Sequence, residues 1–222
     1  MEKKIFNLII VDESGSMRII RRQALTGMNE TLLTIRNMQE MHPEMEQLVT
    51  LLTFATTHNG NIRMHYDNVS ASAAHELSDM QYKPHGCTPL YDAIGYGISK
   101  VAGACSKDDN VLVTIITDGA ENSSREYSLH SIKSLISAYK KNGWTFSFIG
   151  TENLDVEGMA ESMGIDNRLS FKQDEAGTRE MFAVDRRARM NFVGCCLRCT
   201  PMQEGSYFDV DDNSDEEDED IK

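Results

Sequence analysis

Small oxygen-bearing side chains occur in three short segments of the chain, each beside a run of apolar residues. Residues 12–17 read Asp-Glu-Ser-Gly-Ser-Met and directly follow a strongly apolar stretch. Residues 86–90 read Gly-Cys-Thr-Pro-Leu and precede apolar residues at helical spacing, whereas residues 117–119 read Thr-Asp-Gly and follow a run of β-branched residues. Together the segments supply two carboxylates and three hydroxyls: Asp12, Ser14, Ser16, Thr88 and Asp118.

Carboxylate and hydroxyl oxygens are hard ligands of the kind that Mg²⁺ prefers and that Mn²⁺ also accepts. The set contains no Cys or His, which argues against zinc, copper or iron. Residues two apart in an extended loop point the same way, so Asp12, Ser14 and Ser16 could converge on one ion. Gly15 would let the loop approach that ion closely. The sequence therefore predicts a site for Mg²⁺, with Mn²⁺ as an alternative and one coordination position open to water or an incoming carboxylate.

Strands alternate with helices along most of the chain. Residues 4–11 are apolar on both faces, as in a central strand that helices cover on each side. Amphipathic helices and further apolar strands follow in alternation to about residue 190. The turn at residues 59–61 is too short for a parallel crossover, so the strand at 62–67 is expected to pair antiparallel. This pattern predicts an α/β fold with a doubly wound, mostly parallel central sheet, one antiparallel edge strand and helices on both faces.

Each donor segment also has a structural explanation. Residues 12–16 could make a turn and cap a helix, Thr88-Pro89 is a favourable helix start, and Asp118-Gly119 is a common turn pair. Ligands of doubly wound sheets, however, bind at the carboxyl ends of the parallel strands. All three segments are predicted to lie at that edge, which favours one shared site over three unrelated turns.

The three segments together resemble the metal-ion-dependent adhesion site of von Willebrand factor A-type domains. The pattern Asp-x-Ser-x-Ser, a later Thr that opens a helix, and Thr-Asp-Gly after a strand occur in the family's order, and the likeness covers about residues 4–190. It implies the family's Rossmann-like fold and a bound Mg²⁺ that Ser14 and Ser16 contact directly. It further implies that Thr88, Asp12 and Asp118 bind the ion directly or through water.

The resemblance also implies a protein-binding module in which a partner's Asp or Glu carboxylate completes the coordination of the metal. The chain looks like a stand-alone intracellular member of bacterial type, and such members often work beside ATPases, kinases, phosphatases or stress-response proteins. A role in a cytosolic multi-protein assembly is therefore expected, although no partner can be named.

Signatures of an enzyme are missing from the sequence. It contains neither the Gly-x-Ser-x-Gly elbow of hydrolases nor a Gly-rich phosphate-binding loop with its Lys, and the site offers no general base beyond its own ligands. We therefore predict that the protein is not an enzyme. Two alternatives stay open: a metal-dependent phosphoester hydrolase, and a scaffold with a vestigial metal site.

Several other polar residues flank the predicted site. Glu13 and Glu121 are expected to be solvated, and His85 to be an ordinary loop residue, with contact to a partner as the alternative. Asp92 falls in the first turn of a predicted helix, where its charge would complement the helix dipole. None of these side chains is predicted to bind the metal.

The chain is acidic, but unevenly so. Its 222 residues include 35 acidic and 22 basic side chains and carry a net charge of −13. Residues 209–222 contain nine acidic residues and one lysine, so −8 belongs to that segment and −5 to the other 208 residues. This balance argues against nucleic acid or an anionic membrane as a partner, and no apolar run reaches the roughly 18 residues that span a bilayer.

Three regions are predicted: an A-type domain at 1–190, an irregular C-terminal extension at 191–208, and a disordered acidic tail at 209–222. The extension shows no clear apolar period, and the tail has too little apolar content to fold alone. The tail could imitate a partner's carboxylates and hold the metal site in an autoinhibited state. Alternatively, it could be a solvated segment that aids solubility.

The cysteines indicate the compartment. Their number is five, their spacing does not suggest a disulfide framework, and the N-terminus lacks the features of an export signal. We expect reduced thiols in a cytoplasmic protein. The cluster Cys195, Cys196 and Cys199 lacks a nearby fourth ligand, so a structural zinc site is not expected there.

Overall fold

The structure, a computed structural model, describes residues 3–57 and 60–209. Within them, one sheet is built from β1 (Ile5–Asp12), β2 (Gln47–Phe54), β3 (Ile62–Ser70), β4 (Asn110–Thr117), β5 (Thr145–Thr151) and β6 (Asn167–Phe171). The α-helices are α1 (Arg21–Met41), α2 (Leu90–Ala102), α3 (Leu129–Lys140), α4 (Val156–Met163) and α5 (Glu175–Leu197), with 3-10 helices at Gly15–Ile20 and Ala71–Ala73. None of the helices in the described residues is long and apolar enough to cross a membrane.

The strands lie in the order β3-β2-β1-β4-β5-β6. Strand β1 pairs in parallel with β2 and β4, and β5 and β6 continue the parallel arrangement, whereas β3 pairs antiparallel with β2. The predicted α/β fold with one antiparallel edge strand is confirmed, and β3 extends beyond its predicted end to Ser70. Because the chain continues from β1 to β2 on one side and later adds β4 on the other, the topological switch point lies between β1 and β4.

Helices cover both faces of the sheet, which explains the uninterrupted apolar run of β1. Phe6, Leu8 and Ile10 pack on one face with buried side chains of α2 and α3. Ile9 and Val11 pack on the other face with side chains of α1 and α5. Every residue of β1 is buried, so the loop that follows Asp12 starts from a close-packed strand.

Helix α5 is longer than the sequence pattern indicated. It continues to Leu197, so the prediction of irregular structure from residue 191 is wrong for the first part of the extension. Phe192, Val193 and Cys196 in that part are buried against the start of the sheet. The apolar period is hard to see because Arg189, only 1% exposed, takes a core-facing position of the helix.

The buried Arg189 is held by a polar network that also fixes the C-terminal extension. Its guanidinium donates to Asn7 Oδ1 and to Thr114 Oγ1, both at 2.9 Å. It also lies 3.3 Å from Asp185 Oδ2, and the Tyr207 hydroxyl donates to Asp185 Oδ1 at 3.0 Å. Tyr207 is fully buried, so the extension packs as part of the domain. The predicted tail lies, apart from its first residue, outside the described residues.

Candidate metal site

The sheet register brings the first and third donor segments together. Val11 lies opposite Ile116 in the parallel β1–β4 ladder, so both strands end at the same edge of the sheet. Asp12 is the last residue of β1, and its Oδ2 accepts a hydrogen bond from the hydroxyl of Thr117, the last residue of β4, at 2.6 Å. The pair marks the carboxyl end of the topological switch point, where doubly wound sheets bind ligands.

A chain of hydrogen bonds joins the first segment to the third. The Ser14 N–H donates to Asp12 Oδ1 at 2.6 Å. The hydroxyl oxygens of Ser14 and Ser16 are 3.2 Å apart, and the Ser16 hydroxyl donates to Asp118 Oδ1 at 2.7 Å. The hydroxyls of Ser14 and Ser16 and the carboxylate of Asp12 therefore lie close to the carboxylate of Asp118, which is about a hundred residues later in the sequence.

The second segment is attached to the first segment and to the loop that follows the third. The Gly15 N–H donates to Gly86 O at 3.1 Å. Gly86 has φ +73°, and a Cβ there would lie 2.3 Å from Thr56 O, so only glycine allows this close approach. On the other side, the Thr88 N–H donates to Asn122 Oδ1 at 2.8 Å, and the Asn122 N–H donates back to Thr88 O at 3.1 Å.

The position of Gly119 shows how close Thr88 is to Asp12. A Cβ added to Gly119 would lie 3.0 Å from Thr88 Oγ1 and 3.8 Å from Asp12 Oδ2. The hydroxyl of Thr88 and the carboxylate of Asp12 thus both face the space beside Gly119. The structure brings all five predicted side chains to one edge of the sheet, and their role as metal ligands stays a prediction.

Burial raises the pKa of both carboxyl groups. The pKa of Asp12 is about 6 instead of 3.8 because burial outweighs the hydrogen bonds from Thr117 and Ser14, and the nearby Asp118 charge adds to the rise. The pKa of Asp118 is also raised by burial, although its hydrogen bonds from Ser16 and Gln173 oppose this. All these donors are neutral, so a bound cation would offset an otherwise uncompensated burial of two charges.

The donor set fits a hard divalent cation. Among the residues that the structure describes, no three Cys, His, Asp or Glu side chains form a group that could hold a metal. At this edge two carboxylates are joined by hydroxyls only, as Mg²⁺ or Mn²⁺ would accept and as zinc sites rarely are. A side chain at Gly119 would enter the space between the donors, which is consistent with a small ion there.

Two supporting residues were not predicted from the sequence. Gln173, just before α5, donates from Nε2 to Asp118 Oδ2. Glu13 was expected to be solvated, and this is wrong because its side chain is only 2% exposed. Its Oε2 accepts from the Thr53 hydroxyl at 2.6 Å. Neither interaction leaves a local signal in the sequence, since both partners are distant along the chain.

The β4–α3 loop is organised by two further acidic residues. Asp92 is buried and accepts hydrogen bonds from three backbone N–H groups of residues 125–127, each at 2.9 Å. Its position in the first turn of α2 is as predicted, but it also fixes this loop. Glu121 is partly buried instead of solvated, and it accepts from the backbone N–H groups of Ser123, Ser124 and Tyr91.

The family is decided by a comparison with protein-family models. The model of the von Willebrand factor type A domain matches residues 8–183. The chain belongs to the von Willebrand factor A family. The matched range contains all five candidate ligands of this A domain, so the resemblance predicted from the sequence is confirmed at the level of the family.

Solved structures of other proteins share the fold at low sequence identity. A mutant of the PilB minor pilin from Streptococcus sanguinis is 13% identical with a TM-score of 0.59, over 90% of this chain and 64% of its own. The open conformation of the pilus adhesin SpaC from Lactobacillus rhamnosus GG is 12% identical with a TM-score of 0.59, and the match covers 83% of this chain and 29% of the adhesin. A von Willebrand factor type A protein from Catenulispora acidiphila is 16% identical with a TM-score of 0.51, and the match covers 81% of this chain and 41% of that protein.

This A domain therefore spans less than two thirds of the length of each of these proteins. At such low identity the likeness shows the fold alone. No curated protein matches the chain by sequence.

Proposed function

We propose that the A domain binds partner proteins through a Mg²⁺ ion held by Asp12, Ser14, Ser16, Thr88 and Asp118, and that a partner's Asp or Glu carboxylate completes the coordination. A-type domains are protein-interaction modules in general, and the proposal concerns the chemistry of the contact. The observation that carries it is that two buried carboxylates, whose hydrogen-bond donors are all uncharged, converge with three hydroxyls at the switch point of the sheet.

The protein's own residues orient the donors. Asp12 is held by the Ser14 N–H and the Thr117 hydroxyl, and Asp118 is held by Ser16 and Gln173. When bound, the ion supplies a Lewis-acidic contact for a carboxylate. Because the three hydroxyl donors are neutral, the protein does not surround the ion with excess negative charge, and an additional carboxylate can still be attracted. Mn²⁺ would satisfy the same donors.

The proposal places the protein in a cytosolic multi-protein assembly, as a binding module and not as an enzyme. The five cysteines support this setting because all of them are unpaired in the structure, as expected of reduced thiols. We retain phosphoester hydrolysis and a vestigial site as outcomes that the experiment must separate.

Affinity capture with wild type and Asp118→Ala, each with Mg²⁺ or EDTA, tests the proposal. We expect partners that wild type captures only in Mg²⁺ and that the variant loses. Asp108→Ala is the matched control, because Asp108 is exposed and lies just before β4, at the end of that strand away from the candidate site. Partners unaffected by both EDTA and the variant would favour a scaffold with a vestigial site. Mg²⁺-dependent turnover of p-nitrophenyl phosphate that Asp12→Ala abolishes would favour the hydrolase.

The acidic tail is proposed to compete with partners for the metal. Tyr207 is fixed by its N–H to Asn167 Oδ1 at 3.0 Å, at the start of β6, whereas the candidate site lies at the other end of the sheet. The thirteen residues after Asp209 could span at most about 45 Å when extended, which exceeds the roughly 27 Å length of an eight-residue strand. Deleting residues 209–222 is expected to raise Mg²⁺-dependent partner affinity, and unchanged affinity would favour a solvated tail.

A further inference from the structure

A polar cavity of about 730 Å³ lies beside the candidate metal site. Its lining includes Thr53, Thr56 and Asn61 of the β2–β3 hairpin, together with Glu13, Arg63 and His85. We call this cavity the Arg63 groove. Most of its lining residues carry side chains that can form hydrogen bonds.

The groove and the metal site share a wall. Glu13 lines the groove, and it stands in sequence between the candidate ligands Asp12 and Ser14. The His85 N–H donates to Glu13 O at 2.8 Å, and the next contact along the same two segments is the hydrogen bond between Gly15 and Gly86. A peptide bound at the metal could therefore continue directly into the groove.

Arg63 is the half-exposed cation of this groove. Its Nη1 lies 3.3 Å from Glu13 Oε1 and donates to Gln81 O at 2.9 Å, and the side chain is 44% exposed. Glu13 does not depend on this ion pair alone, because it also accepts from the Thr53 hydroxyl at 2.6 Å and from the Lys83 N–H at 2.5 Å. Among the described residues, Arg63 forms hydrogen bonds through Nη1 alone, so its Nε and Nη2 donors can face a ligand.

We propose that the Arg63 groove binds a second acidic side chain of the same partner segment whose first carboxylate sits on the metal. This proposal rests on the proposed function and deepens it, since it defines the partner as an acidic peptide with two carboxylates at a fixed spacing. A guanidinium with free donors suits a carboxylate, and the half-exposed position lets it bind without full desolvation.

The spacing follows from the path between the two subsites. From Arg63 through Glu13 to Ser14 the path covers at most about 15 Å, by standard bond lengths and one Cα step. An extended peptide advances about 3.3 Å per residue, and both acidic side chains add reach. The two acidic residues are therefore about two to four positions apart in the partner.

Titration of the full-length protein in Mg²⁺ with synthetic Gly/Ser peptides tests the proposal. One peptide carries a single Glu, and the others carry a second Glu at increasing spacing. We expect the best two-Glu peptide to bind up to about fivefold more tightly than the one-Glu peptide, and Arg63→Gln to remove that gain while leaving the one-Glu peptide unchanged. Arg63→Lys should restore part of the gain.

Arg168→Gln is the matched control. Arg168 lies on β6, the outer strand farthest from β3, and like Arg63 it is about half exposed (41%) and paired with an acidic residue, Glu157. Equal affinities of one-Glu and two-Glu peptides would overturn the groove proposal alone, as would an equal loss for both in Arg63→Gln. Failure of every peptide to bind in Mg²⁺ would overturn the proposed function as well. A last variant replaces the acidic residues of 209–220 with neutral ones. If this change raises the affinity for two-Glu peptides in the presence of Arg63 but not in Arg63→Gln, the groove binds this chain's own tail instead of a partner.

Discussion

Replacing Asp12 with Asn is expected to stabilise the metal-free protein at neutral pH. Asp12 is fully buried, and its pKa of about 6 instead of 3.8 means that ionisation is unfavourable in the folded state. A difference of about two pH units corresponds to about 3 kcal/mol at 1.36 kcal/mol per unit. The charge at this position therefore destabilises the fold when no cation is present.

Hydrogen bonding reduces the expected gain. Asn keeps one acceptor oxygen, whereas both carboxylate oxygens of Asp12 accept hydrogen bonds from Ser14 and Thr117. The Thr117 hydroxyl lies 2.9 Å from Gly119 O and can donate there instead, so the loss is about 1 kcal/mol. We expect a net stabilisation of about 1–2 kcal/mol for Asp12→Asn at pH 7.5.

The pH dependence has a defined sign. Between pH 3.8 and about 6, the folded protein binds a proton at Asp12 that the unfolded chain has released. This contribution to stability is therefore present at low pH and is lost as pH rises through 6. The advantage of Asp12→Asn should fall with decreasing pH, and the electrostatic part should be about half as large at pH 5 as at pH 7.5.

Urea unfolding of wild type, Asp12→Asn and the exposed control Asp108→Asn in EDTA at both pH values measures these differences. In saturating Mg²⁺ the order of wild type and Asp12→Asn should reverse, because an ion at 100 times its Kd stabilises the wild type by about 2.7 kcal/mol. A wild type that is already the more stable protein in EDTA at pH 7.5 would refute the reasoning, as would an advantage that does not change with pH.

Two further predictions concern the rest of the fold. Cys196 is buried and burial raises its pKa to about 12, so iodoacetamide at pH 8 should label the exposed Cys87 and Cys199 first and Cys196 only on unfolding, as read by mass spectrometry. Arg189→Met should lower the free energy of unfolding by about 3–5 kcal/mol, because it leaves the buried Asp185 without its cation. A loss below 1 kcal/mol in urea would show that Asp185 does not need Arg189 as its counter-ion.

The sequence was sufficient to predict those parts of the site that lie next to regular structure. Asp12 and Asp118 follow two buried strands, and parallel strands end at one edge, so their meeting required only the correct fold class. Thr88 was predicted because it precedes a helical stripe. The fold class itself followed from the alternation of apolar strands with amphipathic helices, of which β1, with its two-sided apolar run, is the first strand.

The parts that escaped prediction depend on contacts between distant segments. Glu13 has the sequence context of a solvated loop residue, but in the fold its carboxylate contacts Thr53, Arg63 and the Lys83 N–H, which are distant along the chain. Gln173 reaches Asp118 from the loop before α5. Arg189 broke the apolar period of α5 because it faces the core, where Asn7 and Thr114 of the sheet accept hydrogen bonds from its Nη1 and Nη2. No local pattern records such pairings.

The two neighbouring acidic residues of the first loop, Asp12 and Glu13, have different electrostatic surroundings. Arg63 lies beside Glu13, whereas the described hydrogen-bond donors of Asp12 are a backbone N–H and a hydroxyl. One acidic residue of the loop, Glu13, is thus compensated by a fixed cation, whereas its neighbour Asp12 is the residue that we propose to bind an ion from solution. If Arg63 instead lay beside Asp12, it would lower the pKa of that carboxyl and compete with Mg²⁺ for it. With Arg63 beside Glu13 instead, the proposed metal site would stay available, and a second positive group would lie where a partner's next carboxylate could reach it.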